Sequence, residues 1–115
     1  MNKEIRPWGE FEVLYDGSDY KIKIITVYPQ SRFSLQYHGY RREIWTVIEG
    51  TLVAEVDDVK THLFEGDTIC VPRGSCHRGT NNQTKCTKFI EIQKGDRLLE
   101  SDVIRIEDDY DRETQ

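Results

Sequence analysis

Helical signal is almost missing from this sequence. Apolar residues do not recur at three- and four-residue intervals over any long window, so no amphipathic helix is expected. No apolar run approaches the ~20 residues that a membrane helix needs. The opening MNKEIRPWGE has no apolar stretch of the kind that marks a secretory signal. An excess of positive charge is missing too. Sixteen Lys and Arg stand against 21 Asp and Glu, for a net charge of −5, which argues against a nucleic-acid partner. The three cysteines include no CxxC pair, which argues against a structural zinc knuckle. Their odd number, with no leader before them, reads as reduced thiols in a cytoplasmic protein. Cys70 lies inside the apolar run Thr68–Val71 and is expected in the core. Internal repeats, low-complexity tracts and linkers are absent, and 115 residues make one domain, 1–115.

What the chain does have is a series of short β-branched and aromatic runs separated by turn chemistry. FEVLY (11–15) ends at Asp16-Gly17, YKIKIITVY (20–28) at Pro29, FSLQYH (33–38) near Gly39, and IWTVI (44–48) at Glu49-Gly50. LVAEV (52–56) stops at Asp57-Asp58 and the chain returns over 59–63. Thr68–Val71 then runs into Pro72-Arg73-Gly74, and KFIEIQ (88–93) follows a polar loop at Asn81–Thr84. Eight to ten short strands at this spacing predict an all-β sandwich or barrel. The tail, 107–115, is expected to be an acidic C-terminal arm.

Within this pattern a small set of residues can do chemistry. Gln36 and His38 are two apart in a strand and share a face; Phe33, Leu35 and Tyr37 take the other, and apolarity alone does not decide which is inside. Glu43 follows at the start of the next strand, where a turn can bring its carboxylate beside them. Together they offer a partial shell for a divalent metal. His77, just past Pro72-Arg73-Gly74, is the residue a barrel can bring opposite the three. Taken singly, each of these residue types is common on a solvated strand. The joint spacing is what distinguishes them: Gln36-x-His38-x4-Glu43-x6-Gly50, then Gly66-x5-Pro72-x-Gly74-x2-His77-x3-Asn81. Glu91 and Gln93 share a face with Phe89. If that face is interior, Glu91 is a buried carboxyl with a raised pKa, suited to proton transfer; if not, it is a solvated strand residue. His62 fits no pattern and reads as a surface residue. Trp8 and Trp45 are expected to fill core or interface space.

These two glycine-punctuated stretches resemble the two motifs of the cupin superfamily, a small double-stranded β-helix or jelly-roll barrel that holds a metal inside. The second motif matches at each fixed position. The first has Gln36 where the common form has His, as phosphomannose isomerases do. More closely, the chain resembles the C-terminal cupin domain of bifunctional type II mannose-6-phosphate isomerase / mannose-1-phosphate guanylyltransferases. The matching stretches include Arg6-Pro7-Trp8-Gly9, Tyr20-Lys21-Ile22-Lys23, Ser34-Leu35-Gln36, His77-Arg78, Glu91-Ile92-Gln93 and Ile104-Arg105-Ile106-Glu107-Asp108-Asp109-Tyr110. The chain departs from the family at Gly39, Tyr40 and Ile44, where the family carries histidine, and at Ile24, where an arginine is often found.

The resemblance implies a metal-dependent isomerase that interconverts mannose 6-phosphate and fructose 6-phosphate by moving a proton between C1 and C2 through an enediolate. It implies one divalent ion (Zn, Mn, Fe, Co or Ni) on Gln36, His38, Glu43 and His77. Two neutral imidazoles, one amide and one carboxylate leave such a centre with residual positive charge. It also implies a phosphate clamp drawn from Arg6, Lys23, Arg41 and Arg78, since arginine suits bidentate phosphate contact. No nucleotide-binding glycine loop is present, so guanylyltransferase activity is not expected of this chain. Two other readings remain: a cupin oxygenase or other metal enzyme, and a non-catalytic sugar-binding or regulatory cupin. A homodimer is expected, because an open barrel edge invites pairing.

Overall fold

The computed structural model describes residues 3–95, 98 and 101–110, and among them every regular element is a strand. The strands are β1 (Lys3–Arg6), β2 (Gly9–Asp16), β3 (Tyr20–Val27), β4 (Ser31–Arg32), β5 (Leu35–Tyr37), β6 (Arg41–Glu49), β7 (Leu52–Val56), β8 (Val59–Leu63), β9 (Thr68–Val71), β10 (His77–Asn81), β11 (Thr87–Gly95) and β12 (Ile104–Glu107). They form two antiparallel sheets. One runs β1-β2-β3-β11-β6-β9; the other runs β12-β5-β10-β7-β8, with β4 paired to β10. The all-β expectation therefore holds. No helix among the described residues is long and apolar enough to cross a membrane.

Between the sheets lies an apolar core built on Phe33. Its ring sits 5.4 Å from Trp8 and 5.7 Å from Trp45, and Trp45 in turn lies 5.2 Å from Phe89. Val27, Val47, Leu52, Ala54 and Val71 fill the space around them. The inward faces of the central strands change character along their length. On β3 the inward residues run Lys21, Lys23, Ile25, Val27; on β11, Gln93, Glu91, Phe89; on β6, Arg41, Glu43, Trp45, Val47. One end of the sandwich is thus hydrocarbon and the other is lined with charge. The outward faces of the same strands carry Ile22, Ile24, Ile44, Ile90 and Ile92, all half-buried. Because of this inversion, apolarity alone cannot decide the inside face of these strands.

Several local expectations change. The run 33–38 is not one strand, because Phe33 and Ser34 are buried in succession and break the alternation between β4 and β5; His38 follows β5 directly. Cys70 is exposed rather than in the core: on β9 it is Ile69 and Val71 that turn inward, which puts Cys70 outside. The polar loop starts after Asn81, which closes β10 and whose Nδ2 donates to the carbonyls of Val27, Tyr28 and Lys85. His62 is exposed. Of the acidic arm, Glu107 ends β12 and Asp109 accepts two hydrogen bonds from Arg32 at 2.7 and 2.9 Å; residues 111–115 lie outside the described residues.

Turn chemistry follows the sequence. Asp57 and Asp58 both take positive φ, 48° and 69°, as a two-residue hairpin between β7 and β8 requires. Gly9 has a different reason to be glycine: a Cβ there would lie 1.9 Å from the Thr26 carbonyl oxygen across the β2–β3 ladder. Gly9→Ala is therefore expected to destabilise the fold by about 1–3 kcal/mol, the usual cost of overpacking. The loss should appear as a lower urea midpoint at unchanged slope; an unaltered midpoint would show that the strands part at no cost.

Candidate metal centre and its cavity

At the charged end, His38, Glu43 and His77 bring one ligand atom each within 4.8 Å of one another, all three buried. Three strands place them. β5 delivers Gln36 and, one residue past its end, His38. β6 delivers Glu43, and β10 delivers His77 directly opposite Gln36 in the ladder. The β5–β6 turn is held by Asp102, whose carboxylate accepts from the backbone N–H of Gly39 at 3.1 Å and of Tyr40 at 3.0 Å.

Both imidazoles are oriented from behind. The Nδ1 of His38 faces the carbonyl of Asp102, and that of His77 faces the carbonyl of Ser75 at 2.9 Å. A carbonyl can only accept, so both rings carry a proton on Nδ1 and aim Nε2 at the centre. His38 Nε2 lies 3.3 Å from Glu43 Oε2 and His77 Nε2 lies 3.8 Å from Glu43 Oε1. Burial, together with the nearby Arg41 and His77, lowers the His38 pKa to about 4 and keeps that ring neutral. Burial alone would raise the Glu43 carboxyl, but His77, Arg41 and His38 outweigh it and hold it well below the usual carboxylate range. Trp45 Nε1 donates to Glu43 Oε1 at 2.9 Å and Arg41 Nε to Oε2 at 2.9 Å. Arg41 also reaches His38 Nε2 at 3.0 Å. Gln36 lies beside them, its Oε1 accepting from Ser34 Oγ at 2.6 Å and its Nε2 3.3 Å from His38 Nε2.

This donor set fits a divalent cation. Two imidazoles and an ionised carboxylate converge, and His77 Nε2 is buried with no hydrogen-bond partner among the described residues. A buried polar atom that makes no hydrogen bond beside a carboxylate is costly unless a cation sits between them.

A cavity of about 120 Å³ adjoins this cluster, with Gln36 and His38 in its wall. Its other polar walls are Arg6, Lys23, Arg41, Arg105 and Glu91; Trp8, Phe11, Ile25, Phe33 and Val103 complete it. The Arg6 guanidinium and the Lys23 ammonium lie 5.0 and 4.2 Å from the Phe11 ring centroid, so one aromatic ring supports both cations. Glu91 is buried and accepts from Gln93 Nε2 at 2.7 Å. Burial, and the charge of Glu43 next to it, raise its pKa to about 8.

Of the sequence candidates, then, the structure gathers Gln36, His38, Glu43 and His77 at one point. It lines the adjoining cavity with Arg6, Lys23, Arg41 and Glu91. Arg78 is not brought to the cavity. It donates through Nε to the Phe33 carbonyl at 2.9 Å and through Nη1 to Glu107 at 3.1 Å, and so ties β12 to β10. Residues 39, 40 and 44 lie outside the cavity wall too: Gly39 and Tyr40 are exposed in the turn and Ile44 points outward between Glu43 and Trp45. Two participants were missed in the sequence, Asp102 and Arg105. Both lie in the C-terminal segment, whose packing against β5 no local pattern announces.

Residues 1–108 match the family described as mannose-6-phosphate isomerase C-terminal. The chain belongs to that family. It is 39% identical over 107 residues to the alginate biosynthesis protein AlgA of Pseudomonas aeruginosa, covering 93% of this chain and 22% of AlgA. It is 38% identical over 114 residues to mannose-1-phosphate guanylyltransferase of Escherichia coli K12, covering 97% of this chain and 24% of that protein. The chain thus spans about a quarter or less of the curated relatives it matches. Among solved structures, KdgF from Halomonas superposes with a TM-score of 0.76 at 15% identity, over 84% of this chain and 88% of that one. A cupin-superfamily sugar phosphate isomerase from Silicibacter pomeroyi superposes with a TM-score of 0.73 at 22% identity, over 84% and 71%. At these identities the superpositions speak for the fold alone, and the fold is that of a cupin.

Proposed function

We propose that the chain is a metal-dependent isomerase of mannose 6-phosphate and fructose 6-phosphate. One observation carries the reading: a buried carboxyl, Glu91, shares a small cavity with the His38–Glu43–His77 cluster and with cationic walls. Gln36, His38, Glu43 and His77 would hold one divalent ion, with Gln36 turning its amide to present oxygen. Ser34 Oγ can accept as readily as donate and so allows that turn. When bound, the ion supplies a Lewis acid for the oxygens on C1 and C2.

The chain's own residues do the rest. In its carboxylate form Glu91 takes the proton from C2 and, as the acid so formed, gives it to C1; a pKa raised to about 8 keeps both forms within reach near neutrality. Gln93 Nε2, at 2.7 Å, fixes the orientation of that carboxyl. Arg6, Lys23 and Arg41 give the cavity the positive potential an anionic sugar needs. The apolar wall of Trp8, Phe11, Ile25 and Phe33 limits water around the reacting carbons.

The positions where family histidines are replaced, 39, 40 and 44, do not touch this cavity, which supports retained proton transfer. The test is turnover of mannose 6-phosphate by the metal-loaded chain, followed as fructose 6-phosphate formed. The expected result is saturable turnover that disappears on chelation and returns with added metal. Stoichiometric metal and sugar-phosphate binding without turnover would instead make the chain a binding cupin.

A further inference from the structure

The arginine on β12 was not among the residues picked out by spacing, and its placement runs against hydrophobic patterning. In Ile104-Arg105-Ile106 the two isoleucines face solvent, 40% and 51% exposed, while Arg105 between them turns into the cavity wall. On a strand with one buried face the reverse is expected. Two features produce the inversion. Arg105 stands opposite Gln36 in the β12–β5 ladder, and Gln36 stands opposite His77 in the β5–β10 ladder. Directly opposed residues present their side chains to the same face, so the ladder aims Arg105 where the proposed ligands point. The register then slips between Arg105 and Glu107, leaving Ile106 as the extra residue of a bulge. Bulges of this kind re-aim side chains beside active sites.

The charge balance gives the direction its meaning. The chain carries a net charge of −5, yet four cations line this cavity and, among its described wall residues, Glu91 is the sole carboxylic acid. Arg41 is bonded to Glu43 and His38 at the metal cluster. Arg6, paired with Glu4 at 3.0 Å, comes from β1 in one sheet and Arg105 from β12 in the other, so the two approach the cavity from opposite layers. Arg78, the arginine marked out by sequence, is engaged with Phe33 and Glu107 and serves to hold β12, and with it Arg105, in place.

We propose that Arg105 is the specificity residue that reads the phosphate of the substrate, with Arg6 facing it across the cavity. The proposal rests on the sugar-phosphate reading of the site, but not on isomerisation. The test is calorimetric titration of the metal-loaded chain with mannose 6-phosphate, inorganic phosphate and unphosphorylated mannose, comparing wild type with Arg105→Gln and Arg105→Lys. Elemental analysis confirms equal metal loading, and circular dichroism confirms the fold. Loss of a charge-assisted, fork-shaped contact is expected to weaken mannose 6-phosphate and inorganic phosphate by about tenfold or more in Arg105→Gln. Arg105→Lys should recover part of that loss, and mannose should be unaffected. A purely structural role would weaken sugar and sugar phosphate alike. That result would overturn the proposal, as would phosphate affinities within about twofold of wild type, or no phosphate binding by wild type at all. Failure of the isomerase reading is separate: it appears as absent turnover in a wild-type chain whose phosphate binding still depends on Arg105.

Discussion

His77→Ala is expected to weaken divalent-metal binding by at least about 100-fold, beyond the effect of losing an outer-shell partner, while the protein keeps its β-sheet spectrum. The size follows from the position. His77 Nε2 is buried with no hydrogen-bond partner among the described residues, its ring is fixed by the Ser75 carbonyl, and it faces Glu43 across the point where His38 also converges. Alanine removes a proposed ligand that none of the described neighbours can replace. His38→Ala should act in the same direction, with a different local consequence. It leaves the Asp102 carbonyl without its imidazole partner and frees Arg41 Nη2 from its 3.0 Å contact with His38 Nε2. Elemental analysis after dialysis against sub-stoichiometric chelator measures both. Full metal content in both variants would show that the cluster is not the metal site.

The second large effect is on rate. Glu91→Gln is nearly isosteric, keeps a hydrogen-bonding group for Gln93 and lies on a fully paired strand between β3 and β6. It should therefore fold and load metal normally. What it loses is the carboxyl that can take up and return a proton, and turnover should fall by about 100-fold or more, the scale of a general acid–base contribution. Affinity for mannose 6-phosphate should change little, because the anion-facing cations are untouched. A decrease confined to affinity would move Glu91 from proton transfer to substrate positioning.

How much of this was legible in the sequence depends on which kind of signal each residue leaves. The strands β2, β3, β6–β9 and β11 are bounded by Gly, Pro and Asp turns and are readable from alternation. β4, β10 and β12 are short, and their residues pair with strands distant in the chain, so no local period marks them. The metal-ligand candidates could be found because their spacing on two hairpins is rigid. Glu91 could be framed only as a conditional, since an inward Glu-x-Gln and an outward Ile-x-Ile look the same as a solvated strand with the faces exchanged. The structure resolves the condition by burying Lys21, Lys23, Glu91 and Gln93 together. Arg78 and Arg105 show the limit most clearly. Both are arginines on short strands of the same sheet. Only the β12–β5–β10 ladder distinguishes the one that ties strands together from the one that enters the cavity.

The central claim is that one cavity joins a metal cluster to a proton-carrying carboxyl, and the most direct measurement is exchange of the C2 hydrogen of mannose 6-phosphate with deuterated solvent, followed by NMR. Exchange needs proton transfer and the trade of the Glu91 proton with solvent, and does not depend on release of fructose 6-phosphate. The metal-loaded chain should incorporate deuterium at C2 well above a metal-only control, and exchange should collapse in Glu91→Gln and in His77→Ala. No exchange above that control with zinc, manganese, iron, cobalt or nickel loaded in turn, or exchange that survives Glu91→Gln undiminished, would contradict it.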